Sequence, residues 1–185
     1  MHSTLDFKDG GELDITQYAL TATGGYVRAS RWSVRVSVGT ILDGRLEGGG
    51  RTHDIGPGVL ASAALSRQFE RGAWFLNGSL SASVARTTTS EGAGAPTQTL
   101  VATDVLRIGV MAGRTFGVIS PYVLGRGFAG PVSWKLDAMK VTGSDTHFFQ
   151  LGAGVSVATP SGWSFVVDVS ALGEQSASLG VARRL

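Results

Sequence analysis

The chain has no cysteine. It therefore carries no disulfide framework, which argues against a small, secreted, stapled fold. Charge is also scarce: 16% of residues are charged, and the formal net charge is +2. Lysine is rare, most of the basic residues are arginines scattered singly along the chain, and no Lys/Arg cluster exists. That pattern gives no reason to expect a nucleic-acid partner. No window approaches ~18 uninterrupted apolar residues, so a membrane-spanning helix is excluded. The amino end, Met1-His2-Ser3, lacks a basic stretch and an apolar run. It is read as a mature, exported form that begins on a new Met1.

What the chain does have is glycine, 27 residues of 185, with a mean hydropathy of +0.15 that is high for a soluble domain. It also has strict two-residue alternation, the signature of half-buried strands. Trp32, Val34, Val36 and Val38 alternate with Ser33, Arg35 and Ser37. Leu76, Leu80, Ala82 and Val84 alternate with Asn77, Ser79, Ser81 and Ser83. Phe165, Val167 and Val169 alternate with Ser164, Val166, Asp168 and Ser170. A soluble sandwich or lipocalin-like barrel would bury such apolar faces inward. Three features oppose it. Several strands run about ten to twelve residues, where soluble strands cluster near five or six. The apolar face is built largely of small residues, with the large aromatics at strand ends. The opposite face is serine and glycine with occasional charge, which suits a narrow filled lumen.

The connections alternate in kind. Very short turns framed by aromatics lie between Tyr26 and Trp32, Phe69 and Trp74, and Phe116 and Tyr122, with a fourth ahead of Trp163. Polar, glycine-rich loops are expected at roughly 47–57, 87–99 and 133–146. Short turns on one side, long loops on the other and an aromatic girdle describe an antiparallel transmembrane β-barrel. Residues 1–185 are read as one such domain. The strands expected are 12–27, 31–46, 57–69, 74–87, 100–115, 119–132, 147–158, 162–172 and 176–185. A short ascending partner at 3–9 makes ten; the alternative is eight strands with the first ~27 residues packed elsewhere, since spanning strands need about nine to eleven residues. The girdle consists of Tyr26, Trp32, Phe69, Trp74, Phe116, Tyr122 and Trp163.

The carboxyl end, with Ala177, Leu179 and Val181 alternating, resembles the ending of bacterial outer-membrane barrel proteins, although Leu185 stands where an aromatic is usual and Arg183 where an apolar residue is usual. The segment Ile119-Ser120-Pro121-Tyr122-Val123-Leu124-Gly125 is similar to a Pro-Tyr strand opening common in that superfamily. The resemblance implies the outer membrane as location, its lipid as surroundings, and the barrel-assembly machinery as partner; it implies no specific activity.

The charged residues assigned inward are Arg35, Arg107, Arg126 and Asp168. Arg126 is turned inward because an arginine facing lipid at mid-membrane costs about 2–4 kcal/mol. Buried charge must pair or stay hydrated. These four either stiffen the lumen as a network or form a narrow basic constriction that favours anions. His53 and His147 lie in expected outer loops. Asp145-x-His147 superficially resembles the Asp-x-His pair of ten-stranded outer-membrane proteases, but no matching Asp-x-Asp faces it. The His-x-Ser of lipid A-modifying barrels is missing too, because His147 is followed by Phe148 and Phe149. No catalytic residue, metal ligand set or cofactor is assigned. The expectation is a monomeric, non-enzymatic outer-membrane barrel, structural or a narrow pore for small solutes. A rim enzyme, or a binding protein that uses its outer loops, is the alternative.

Overall fold

A computed structural model describes residues 1–7, 11–92, 95–136 and 139–184. Its strands in chain order are β1 (His2–Phe7), β2 (Gly11–Val27), β3 (Trp32–Gly48), β4 (Arg51–Ile55), β5 (Gly58–Arg71), β6 (Trp74–Ser90), β7 (Gln98–Arg114), β8 (Ile119–Ala129), β9 (Pro131–Leu136), β10 (Met139–Asp145), β11 (Phe149–Ala158), β12 (Trp163–Gly173) and β13 (Ser176–Arg183). They form one antiparallel sheet, and no helix occurs among the described residues.

Short turns join β2 to β3, β5 to β6, β7 to β8 and β11 to β12. The antiparallel order puts all four at one end, here the lower end. The tightest connects Arg71 to its cross-strand partner Trp74 through Gly72 and Ala73, with Gly72 at φ +60°. The upper end departs from expectation. Most of the segments read as loops at 47–57, 87–99 and 133–146 continue the pleat. β3 turns tightly into β4 on Gly49 and Gly50, at φ +59° and +75°, where a hairpin of this type needs left-handed residues. β6 runs on to Ser90, and β9 and β10 pair with Trp134 opposite Val141. The reason is that alternation survives in these polar stretches: His53 and Ile55 are buried while Thr52 and Asp54 are exposed.

Eight strands close into a ring, β1-β2-β3-β4-β6-β7-β9-β10 and back to β1. The ring occupies the upper half of the molecule. Below it, β8 and β11 continue the lines of β9 and β10, and the β12–β13 hairpin lies beside β11. In this lower half β13 pairs with β12, and no described residue pairs with its other edge beyond one bridge from Gln175 to His2.

The two halves have opposite polarity. In the lower half the outward residues are apolar and exposed: Val34, Val36, Val38, Leu76, Leu80, Val84, Ile108 and Val110. Serines and glycines face inward. In the upper half Glu12, Asp14, Arg45, Glu47, Arg86 and Thr88 face out, while Leu13, Ile15, Leu46, Ile55, Leu100 and Trp134 are buried inside. The change of phase falls near residue 17 in β2 and residue 85 in β6. In β3 a bulge assists it: Tyr18 faces Asp43 but Ala19 faces Ile41, so Leu42 is the extra residue.

Candidate functional site

The interior of the lower half holds a cavity of about 1080 Å³. Its ceiling is the underside of the apolar cluster, with Leu5, Ile15, Ile41 and Leu100 on the wall. Its sides carry the charged and amide groups, Asp104, Arg107, Arg126, Gln150 and Glu174. A second space of about 300 Å³ is lined by Arg35, Tyr122, Arg126 and Asp168. The four charges assigned inward thus divide between two spaces, with Arg126 on the wall of both.

Arg107 is held on three sides. Its guanidinium lies 2.9 Å from Asp104 and 3.4 Å from Glu174, and it stacks over Phe128 at 4.4 Å. Asp104 and Arg107 are three residues apart, which in a regular strand places them on opposite faces. A bulge resolves this: Ser81 faces Arg107 and Ser83 faces Asp104, so Val105 and Leu106 together oppose Ala82. Both charges then point inside. Glu174 arrives from the turn between β12 and β13 and is buried. Burial pushes its carboxyl above the usual range, and Arg107 pulls it back.

Arg126 is different. Its Nη1 donates to Gln150 Oε1 at 3.0 Å, and Gln150 Nε2 donates on to Ser176 Oγ at 2.7 Å. Among the described residues no carboxylate forms a salt bridge with it. Asp168 instead accepts from the Tyr122 hydroxyl and, at 3.3 Å, from Ser178 Oγ. Gly154 makes room for that pair: a Cβ there would lie 2.5 Å from Asp168 Oδ1 and 2.7 Å from Tyr122 Cε2. Arg35 is exposed and reaches Ser66 Oγ at 3.3 Å. Chemically, the chamber offers one neutralised cation, one cation bound only to an amide, and an apolar roof.

The girdle aromatics Tyr26, Trp32, Phe69, Trp74, Phe116 and Trp163 are all exposed and flank the lower turns. Tyr122 is not part of that belt. It shares the inward face of Arg126 and is buried, because its hydroxyl is taken up by Asp168. Three arginines outside any sequence assignment complete the belt. Arg67 lies over Trp32 and Phe69, Arg114 over Trp74 and Phe116, and Arg183 over Trp163, at 4.8–5.5 Å. Their signal was legible: each stands two residues from an aromatic on its own strand or opposite one across a pair, on the same face.

At the upper end Trp134 points inward. It packs on Phe7 and His53, with centroids at 5.8 and 4.7 Å, and its indole N–H donates to Thr89 Oγ1 at 2.8 Å. Asp145 accepts from Ser3 Oγ at 2.8 and 2.7 Å and from the His147 backbone N–H at 2.8 Å. The His147 ring stands 4.0 Å from it, outside hydrogen-bond reach. Glu174, which the sequence offered as a residue able to complete the inward charge set, does so against Arg107. Asp104 and Gln150 were missed: the first is hidden by a bulge, and the second lies next to an expected loop.

Comparisons with family models, with curated proteins and with solved structures find no match.

Proposed function

We propose that the chain is a non-enzymatic β-barrel of the bacterial outer membrane, structural in role, whose upper part stands clear of the bilayer and plugs the interior. The inversion of polarity along the strands carries this reading. Between Trp74 and Val84 the outward face of β6 is apolar for ten residues, which at about 3.3 Å per residue and a tilt near 40° spans ~25 Å. That is the height of a barrel's lipid-facing band. An apolar belt of this extent exceeds by far the few hundred Å² that a soluble monomer leaves uncovered. Above the band the same strands obey the soluble rule, polar out and apolar in.

The apolar cluster around Leu46, Phe7 and Trp134 is buried in the interior of the upper half. That favours a sealed barrel over an open pore. A narrow pore for small solutes is the second reading, and the cavity beside Arg107 and Arg126 is what favours it. A rim enzyme has less support, because Asp145 is held by the Ser3 hydroxyl and the His147 backbone N–H rather than by the His147 ring.

The test is folding into lipid vesicles or detergent. The folded form should migrate differently from the heated form on a gel, and planar-bilayer recordings should show no steady conductance. A monodisperse, β-rich monomer in plain buffer refutes the membrane reading; a regular conductance step moves the role to the pore.

A further inference from the structure

The lower half of the sheet contains nine strands in the order β13-β12-β11-β8-β7-β6-β5-β3-β2, and its two outer edges do not meet among the described residues. Both outer strands run downward. β1 lies between them at the top of the opening and is antiparallel to each: it pairs with β2 from His2 to Phe7, and its His2 exchanges two backbone hydrogen bonds with Gln175, at 2.8 and 2.9 Å. Met1 extends the ladder by one step, with Met1 O accepting from Gln17 N at 3.0 Å. The mouth of the opening is therefore one strand wide and already has the start of a ladder on both sides.

Below that mouth the rims are bare. Alternation from Gln17 turns the N–H and C=O groups of Ala19, Thr21, Thr23 and Gly25 into the opening; alternation from Gln175 does the same for Ala177, Leu179 and Val181. Exposure supports the same picture independently. Residues 18–27 and 177–183 are exposed on both faces, whereas the inward serines of β5 and β6 are half-buried or buried. In a bilayer core such backbone groups have no water to bond, so an open edge is not tolerated. Direct closure of β2 on β13 would be parallel, and β1 wedges their upper ends one strand apart.

Resting on the membrane reading, we propose that the slot between β2 and β13 is a docking site for one extended strand of a partner polypeptide. The strand lies in line with β1 and antiparallel to both rims. Its outward side chains, flanked by Leu20, Leu179 and Val181, are apolar; its inward ones, flanked by Thr21 and Gly180, are small or polar. It raises the lower count from nine to ten, the even number that antiparallel closure requires. This is strand addition, in which the backbone ladder supplies affinity and the alternate side chains supply selectivity.

The register makes the proposal testable. β1 pairs His2 with both Thr16 and Gln175, so continuing it places Leu20 and Leu179 on either side of one residue of the added strand. Their Cα atoms are then two strand spacings apart, about 10 Å, beyond the ~7 Å limit for a disulfide. The chain's lack of cysteine leaves the chemistry clean. The full-length Leu20→Cys, Leu179→Cys and double variants are refolded into phosphatidylcholine vesicles. A ten-residue peptide of alternating valine and serine, with a cysteine at a central valine position, is present or absent. Folding is scored by heat-modifiable migration. With dissolved oxygen and a copper catalyst as the oxidant, the expected result is a disulfide-linked peptide adduct on each single variant and no internal disulfide in the double variant. A peptide of the same composition with its valines clustered should give no adduct. An internal Leu20–Leu179 disulfide without peptide means the sheet closes on itself and overturns the proposal, as does a cross-linked dimer of two copies. Folded, inserted protein that captures no peptide overturns it too. Protein that never inserts, with or without peptide, overturns the membrane reading instead, and the proposal with it.

Discussion

Val36→Arg separates a lipid-facing belt from a surface in water. Val36 is 53% exposed, and it pairs with Ala63 on β5 and Gly24 on β2, so no neighbour covers it. It stands four residues above Trp32, which marks the lower interface. At about 3.3 Å per residue and ~40° of tilt this is roughly 10 Å of height, close to the middle of a ~25 Å band. An arginine there should cost about 2–4 kcal/mol if lipid surrounds it. If water surrounds it, an exposed Val→Arg change should fall within about 0.5 kcal/mol of neutral. The two cases differ by several-fold, well outside the error of a refolding titration in urea with lipid vesicles. Arg35→Ser is the control. Its neighbour points to the other face, and its guanidinium makes one hydrogen bond, to Ser66 at 3.3 Å. That loss should stay near 0.5–1.5 kcal/mol. If Val36→Arg is neutral, the outward belt does not face lipid. If Arg35→Ser is the more damaging of the two, the assignment of faces is off by one residue.

Other outcomes follow from single contacts. Gly154→Ala should destabilise by about 1–3 kcal/mol, since its Cβ would sit 2.5 Å from Asp168 Oδ1 and 2.6 Å from Val167 O. Adding Tyr122→Phe to Gly154→Ala should then cost almost nothing further, which a double-mutant cycle reads directly. Trp134→Ala should cost about 3–5 kcal/mol by emptying the upper core. Combined with Phe7→Ala it should admit a conductance in planar bilayers that the parent lacks, whereas silence from a folded double variant would place the seal elsewhere. In single-tryptophan variants, lipid-borne quenchers should report one common depth for Trp32, Trp74 and Trp163, and Trp134 should resist both lipid and aqueous quenchers.

Local periodicity determined a great deal here. Alternation through Val34, Val36 and Val38, or through Leu76, Leu80 and Val84, sets strand and face together, because the pleat sends neighbours to opposite sides whatever surrounds them. Each of the ten expected strands has a counterpart among the described residues, with residues 8–9 and 185 of the first and last outside them, but the count is thirteen with a ring of eight: β4, β9 and β10 form in segments read as loops, and 119–132 breaks between β8 and β9. The aromatics beside the lower turns are legible for the same reason as the strands. The reversal of polarity was legible as well: Glu12-Leu13-Asp14-Ile15 alternates as cleanly as Tyr18-Ala19-Leu20, only in the opposite phase. Other features depended on the third dimension. Asp104 meets Arg107 only because a bulge in β7 absorbs one residue. Glu174 reaches them from 67 positions away in the chain. Tyr122 leaves the interface because Asp168 and the missing side chain of Gly154 open a place for it inside. The gap between β2 and β13 is likewise invisible along the chain. Each strand's pattern is complete in itself, and whether its two edges find partners depends on the order in which thirteen strands are laid side by side.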